Sequence, residues 1–163
     1  MADESAPRAE RARFDPAYGE TDEAKPLAWE WARERLERAR SYWIASTRPD
    51  GRPHAMPVWG AFVDGHVVFG TARRSQKARN LAEHAAVVVH LESGDEAVIV
   101  EGIAEETRDD DLLRQTADVF EAKYDWRPEL EDFEGTAWFA VRPRVAYAWL
   151  ESDFVASRTR FSF

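Results

Sequence analysis

Ten residues, Thr71-Ala-Arg-Arg-Ser-Gln-Lys-Ala-Arg-Asn80, place Arg73, Arg74, Lys77 and Arg79 together in a chain whose net charge is -9. No acidic residue lies between Asp64 and Glu83, so this is a local cationic island on an acidic background. It follows a strand-like run, His66 to Gly70, and precedes a helix-like run, Lys77 to His84. Cations beside the free backbone N–H groups of a helix start are suited to holding a phosphate. A solvated basic loop in an arginine-rich protein fits the same ten residues, so both readings stand at this point.

A second unusual stretch is His54-Ala-Met-Pro-Val-Trp-Gly60. Proline has no N–H for a strand ladder, which puts Pro57 on a sheet edge or at a frayed point. Unpaired backbone beside an aromatic ring could meet a planar heteroaromatic ligand, although edge prolines also serve simply to discourage aggregation. Trp126, in Asp-Trp-Arg-Pro after a helical pattern, is an aromatic on a loop that could cover a ligand or cap the fold. His54, His66, His84 and His90 are scattered without metal-ligand spacing. Asp109-Asp110-Asp111 suits the first turn of a helix better than a cation site. No nucleophile elbow or oxyanion-loop signature supports Ser-His-Asp catalysis.

These stretches need a scaffold, and 163 residues suit one domain with a sizeable core. Hydrophobic residues at 44% and charged residues at 33% fit a globular protein rather than a disordered one. A pI near 5.0 argues against a general nucleic-acid binder. No apolar run reaches membrane-span length and no signal-peptide core is visible, so no membrane partner is expected. With no cysteine there is no disulfide, thiolate nucleophile or cysteine-ligated metal, which fits a cytoplasmic protein. Arginines number 19 against three lysines, a bias typical of GC-rich genomes, and this makes Lys77 more informative than the arginines around it.

Residues 1–26 are polar and lack apolar periodicity, predicting a flexible N-terminal arm before a domain spanning 27–163. A helix is expected over Trp29–Arg40. Strands are expected at 42–47, 52–63 and 66–71, with turns at Arg48-Pro49-Asp50-Gly51 and Asp64-Gly65. Further strands are expected at 87–91, 97–104, 136–141 and 145–150, with an amphipathic helix over Asp109–Lys123. Six or more mostly antiparallel strands with few helices argue for a small closed barrel.

Taken in order, Arg48-Pro49-Asp50-Gly51-Arg52-Pro53-His54, Pro57-Val58-Trp59-Gly60, Asp64-Gly65 and Ser75-Gln76-Lys77-Ala78-Arg79-Asn80-Leu81 resemble the pyridoxamine-phosphate-oxidase-like flavin and deazaflavin oxidoreductases. Val98 to Gly102, Lys123 to Trp126 and Thr159-Arg160-Phe161 fit the same pattern, which covers about residues 40–163. The resemblance implies a mainly β protein, a six-stranded antiparallel split β-barrel with a few flanking helices. It implies a homodimer with two cofactor sites at the subunit interface. The aromatic-rich C-terminal strands are the expected surface for that contact.

By the same resemblance, Lys77 is the main charge partner of a cofactor phosphate. Ser75 and Asn80 supply hydrogen bonds, and Arg79 is a nearby cation. Pro57, Val58 and Trp59 lie along the ring system, and Thr71 ends the neighbouring strand. Relatives that use the deazaflavin coenzyme commonly have arginine where this chain has Gln76, a departure that weakens anion attraction. The implied function is hydride transfer between a deazaflavin (coenzyme F-420) and a small organic acceptor, with the cofactor carrying the redox chemistry. FMN-dependent oxidation is the alternative, and a non-catalytic flavin- or haem-binding protein is a third; His54 is the nearest candidate axial ligand for haem. No catalytic side chain is named.

Overall fold

The computed structural model describes residues 6–163. From residue 8 onward a strand stands where a flexible arm was expected. Strand β1 (Arg8–Arg11) pairs antiparallel with the C-terminal strand β9 (Thr159–Ser162), and Ala12 is buried behind it. Backbone N–H groups at Lys25 and Leu27 donate to Ala156 O and Thr159 Oγ1, so the segment is tied down along its length. Met1 to Ser5, the start of the expected arm, lie outside the described residues.

Helix α1 (Trp29–Arg38) buries Ala32 and Leu36 and ends two residues before the expected stop. Strands β2 (Tyr42–Thr47) and β3 (Pro53–Val58) form a hairpin. The expected return strand over 52–63 is broken at Trp59-Gly60, and β4 (Ala61–Val63) begins a second hairpin with β5 (His66–Ala72). Its turn, Asp64-Gly65, has φ values of 48° and 73°. Both are left-handed, as a two-residue turn between twisted strands requires. Helix α2 (Gln76–Glu83) then leads to β6 (Ala86–His90) and β7 (Glu96–Glu106).

Helix α3 (Asp110–Tyr124) starts at Asp109, whose carboxylate accepts the Leu112 N–H at 2.8 Å. It ends at Asp125, in the left-handed conformation with φ 53°. The two strands expected at 136–141 and 145–150 are a single one: β8 (Thr136–Leu150) runs through Pro143. Proline cannot donate to a ladder, and the β7–β8 register shifts between Glu101 and Gly102, opposite Pro143. Gly102 is required there, because a Cβ would stand 2.5 Å from Arg142 O. Helix α4 (Phe154–Ser157) precedes β9.

The strands run β1-β9-β8-β7-β6-β2-β3, with β4 and β5 attached to the first half of β8. The small barrel expected to close does not: β8 pairs with β7 along one side, and with β5 and then β9 along the other. This is the split arrangement, with nine strands among the described residues rather than six. Successive side chains point to opposite faces, so β5 and β8 serve two cores. Val67, Phe69, Ala137, Phe139 and Val141 face the main core, whereas Val68, Trp138 and Ala140 pack under α3. No helix among the described residues is long and apolar enough to cross a membrane.

Candidate functional site

A cavity of about 520 Å³ opens where β3 ends, β5 passes and the chain leaves α3. Val58 and Trp59 form one wall with Trp126 beside them, and Gly70 and Thr71 form the floor against Trp138. Gly70 is needed for this floor, because the Trp138 ring would lie 3.2 Å from a Cβ there. The Trp138 Nε1 is buried without a hydrogen-bond partner.

Trp59 is held from behind. Its indole stacks on the Tyr124 ring, centroids 4.4 Å apart and planes 3° from parallel, while 46% of the residue remains exposed. The Tyr124 hydroxyl accepts the Gly60 N–H at 3.0 Å and donates to Arg40 O at 2.7 Å. Gly60 permits this approach, since a Cβ would press to 3.0 Å on both the Tyr42 ring and Val68 O. Beneath it, the Lys123 ammonium donates to Ala39 O at 2.9 Å and to the Tyr42 hydroxyl at 3.0 Å. Burial pushes Lys123 down to about 8 and raises both Tyr42 and Tyr124 above the ordinary phenol value. Trp126 comes just after the left-handed Asp125 and lies 6.2 Å from Trp59 and 6.1 Å from Phe120.

The cationic stretch adjoins this cavity. Thr71 Oγ1 lies 3.1 Å from Ser75 Oγ, and Ser75 caps α2 by accepting the Ala78 N–H at 3.1 Å. Lys77, in the first turn, is 7% exposed and has no hydrogen-bond or ion-pair partner among the described residues. Burial lowers its pKa, the mark of a cation enclosed without a counter-charge. An incoming anion would meet that need. Arg73 behaves differently: it donates to Phe133 O at 2.7 Å and forms a forked pair with Glu106 at 2.8 and 3.2 Å. The run without acidic residues therefore does not keep all its cations free, because a carboxylate on β7 reaches one of them.

Of the residues singled out from sequence, the cavity collects Val58, Trp59 and Thr71, and Ser75 joins through Thr71. Lys77 is the second residue of α2, and Arg79 is exposed on the same helix. Asn80 is fully buried; its Nδ2 donates to Ser46 Oγ at 3.0 Å and its Oδ1 accepts from Gln76 Nε2 at 2.7 Å. It ties α2 to β2, and Gln76 is engaged in the same chain of bonds. Pro57 pairs across the ladder with Trp43, on the face of β3 opposite Val58, and does not line the cavity. Sequence reasoning missed Tyr124, Gly70 and Trp138. Only the aromatic spacing of Lys123 to Trp126 carried a signal for that side of the site.

The fold is a split β-barrel, and comparison with known proteins identifies its family. The pyridoxamine 5'-phosphate oxidase family profile matches residues 28–150, and the chain belongs to that family. Among solved structures, it is similar to a conserved hypothetical protein from Mycobacterium tuberculosis, with 23% identity and a TM-score of 0.67. That match covers 81% of this chain and 89% of the other. It is also similar to a heme binding protein from Mycobacterium smegmatis, with 20% identity and a TM-score of 0.63, covering 77% of this chain and 55% of that one. An F-420 reductase matches with 25% identity and a TM-score of 0.56, covering 69% and 93%. No curated protein sequence matches significantly.

Proposed function

We propose that the protein is an oxidoreductase that binds a phosphorylated flavin-type cofactor, in first place the deazaflavin coenzyme F-420, and uses it on a small organic acceptor. The observation that carries this reading is Lys77, a largely buried cation without a partner among the described residues, in the first turn of the helix whose cap, Ser75, touches Thr71 in a cavity lined by Trp59 and Trp126. Lys77 and Ser75 would hold the phosphate, and Thr71 would stand between phosphate and ring. Val58, Trp59 and Trp126 would hold the ring by apolar contact and stacking. When bound, such a cofactor supplies two-electron hydride transfer. The chain's own residues bind it, orient it against the acceptor and shield it from water. The family and the similarity to an F-420 reductase support the cofactor class.

The second copy expected of a dimer would lie against the outer face of the β3-β2-β6 sheet. Trp43, Pro57, Ala45, Val88 and Ile99 leave a half-exposed apolar surface there, and Trp43 stacks on His90 at 6.0 Å. Of the C-terminal aromatics, Trp138 and Phe139 are buried within the chain, whereas Tyr147, paired with Ile99, is half-buried and extends this face from the C-terminal strands.

The functional test supplies reduced deazaflavin with quinone, enone and tetrapyrrole acceptors and tracks its oxidation. Acceptor-dependent oxidation is the expected result. Peroxide production with bound FMN, and no turnover of deazaflavin, would replace the reductase reading with the oxidase one.

A further inference from the structure

Three residues of β3 share the inner face of the sheet. Val58 pairs with Tyr42, Met56 with Ile44 and His54 with Ser46, and those three β2 residues are buried. Directly paired residues point to the same face. The stripe therefore leads from Val58, in the cavity wall, to His54, about 13 Å further along the strand. At that end Ser46 Oγ accepts from Asn80 Nδ2 at 3.0 Å. Lys77 is one helical turn before Asn80 and on the same face of α2. His54 and Lys77 thus converge on one spot, from two elements.

The fold does not use the His54 ring. Its Nδ1 is buried without a hydrogen-bond partner. The charges that act on it are both positive, Arg48 from the β2–β3 turn and Lys77 from α2. Together with burial, which is the larger cause, they hold the imidazole below its ordinary value. A lysine without an acceptor, an arginine and an imidazole with an unused ring nitrogen form a cluster that no anion among the described residues neutralises. An anion at Lys77 would also raise the His54 titration through space, so direct ligation is read from the loss of phosphate affinity in His54→Gln together with the titration.

We infer that His54 is a direct ligand of the phosphate monoester drawn to Lys77, donating a ring N–H to it. The inference rests on the anion anchor proposed above and adds a residue to it. It also makes binding proton-linked. A bound dianion favours the imidazolium, so the His54 pKa rises on binding and the complex takes up a proton between its free and bound values. Affinity for the dianion is then greatest below that window and falls as pH rises through the bound value, while protonation of the phosphate itself, with a second pKa of about 6, offsets the gain at lower pH.

The test is an NMR titration of the histidine ring signals, with His54 assigned by its loss in His54→Gln, using inorganic phosphate as the probe. The expected result is an upward move of the His54 titration by about one pH unit at saturating phosphate. Phosphate should also bind about tenfold more weakly to His54→Gln below pH 6. FMN should reproduce the His54 response and riboflavin should not, which separates a cofactor phosphate from the ring. If the Gln76 and Lys77 amides respond to phosphate while the His54 titration stays put, the anchor stands and the role of His54 is overturned. If neither responds, the anchor falls and this inference with it.

Discussion

Thr71 Oγ1 and Ser75 Oγ stand 3.1 Å apart, and that contact joins the two halves of the site. Thr71 belongs to the floor of the aromatic cavity, and Ser75 to the capped start of α2. Under the proposed function, this contact would lie between a planar ring in the cavity and a phosphate at the start of α2.

Lys77→Ala should weaken cofactor binding by about 10- to 100-fold, the range for losing one charge-assisted contact of about 1.5–3 kcal/mol. The apo protein should keep or raise its Tm, because removing an enclosed unpaired cation removes a desolvation cost. Calorimetric titration and thermal melts of the same samples separate the two effects. A mutant that binds normally would remove Lys77 from the anchor.

Asn80→Ala should act in the opposite way. It leaves Ser46 and Gln76 without their shared partner inside the fold, and a cost of about 2 kcal/mol is expected. Urea unfolding without cofactor measures it. A neutral substitution would show that α2 is held to β2 by apolar contact alone.

Trp59→Ala should lower ring affinity with little loss of stability, since the side chain is largely outside the core. Its stack on Tyr124 is worth about 0.5–1.5 kcal/mol. Riboflavin binding, which lacks the phosphate contribution, isolates the effect. A tenfold loss fits the ring slot, and an unchanged constant would place the ring elsewhere.

Lys123 gives stability a pH dependence whose sign is set by its lowered value. Between about 8 and the ordinary lysine range, the folded state holds fewer protons than the unfolded state, so stability rises with pH. Tyr42, raised by burial, acts in the opposite sense only once free tyrosine ionises, so the clean interval lies below that. Unfolding free energies at pH 7.5 and 9.5 should show the wild type gaining stability relative to Lys123→Met. A constant difference between the two proteins would mean that Lys123 stays charged throughout.

Local signals were readable where local chemistry decides structure. Asp64-Gly65 adopts the left-handed pair that a tight hairpin needs, and Asp109 caps α3 as its position before an apolar periodic run implies. Structure set by distant partners was not readable. Arg8 to Arg11 show no strand pattern and become a strand only by pairing with β9. Pro143 looks like a strand end in the sequence, but a bulge at Gly102 accommodates it. The same distinction applies to the site. Lys77 and Ser75 stood out by type and spacing, whereas the pairing of Arg73 with Glu106 and the turn of Trp126 toward Trp59 depend on contacts across the fold.

The most direct measurement compares FMN, the deazaflavin coenzyme and their dephosphorylated forms in binding titrations against wild type and Lys77→Ala, read out by tryptophan fluorescence. The account predicts saturable quenching by the phosphorylated ligands, weaker binding once the phosphate is gone, and near-equal affinities for both forms in Lys77→Ala. Equal affinity for phosphorylated and dephosphorylated forms in the wild type would contradict it.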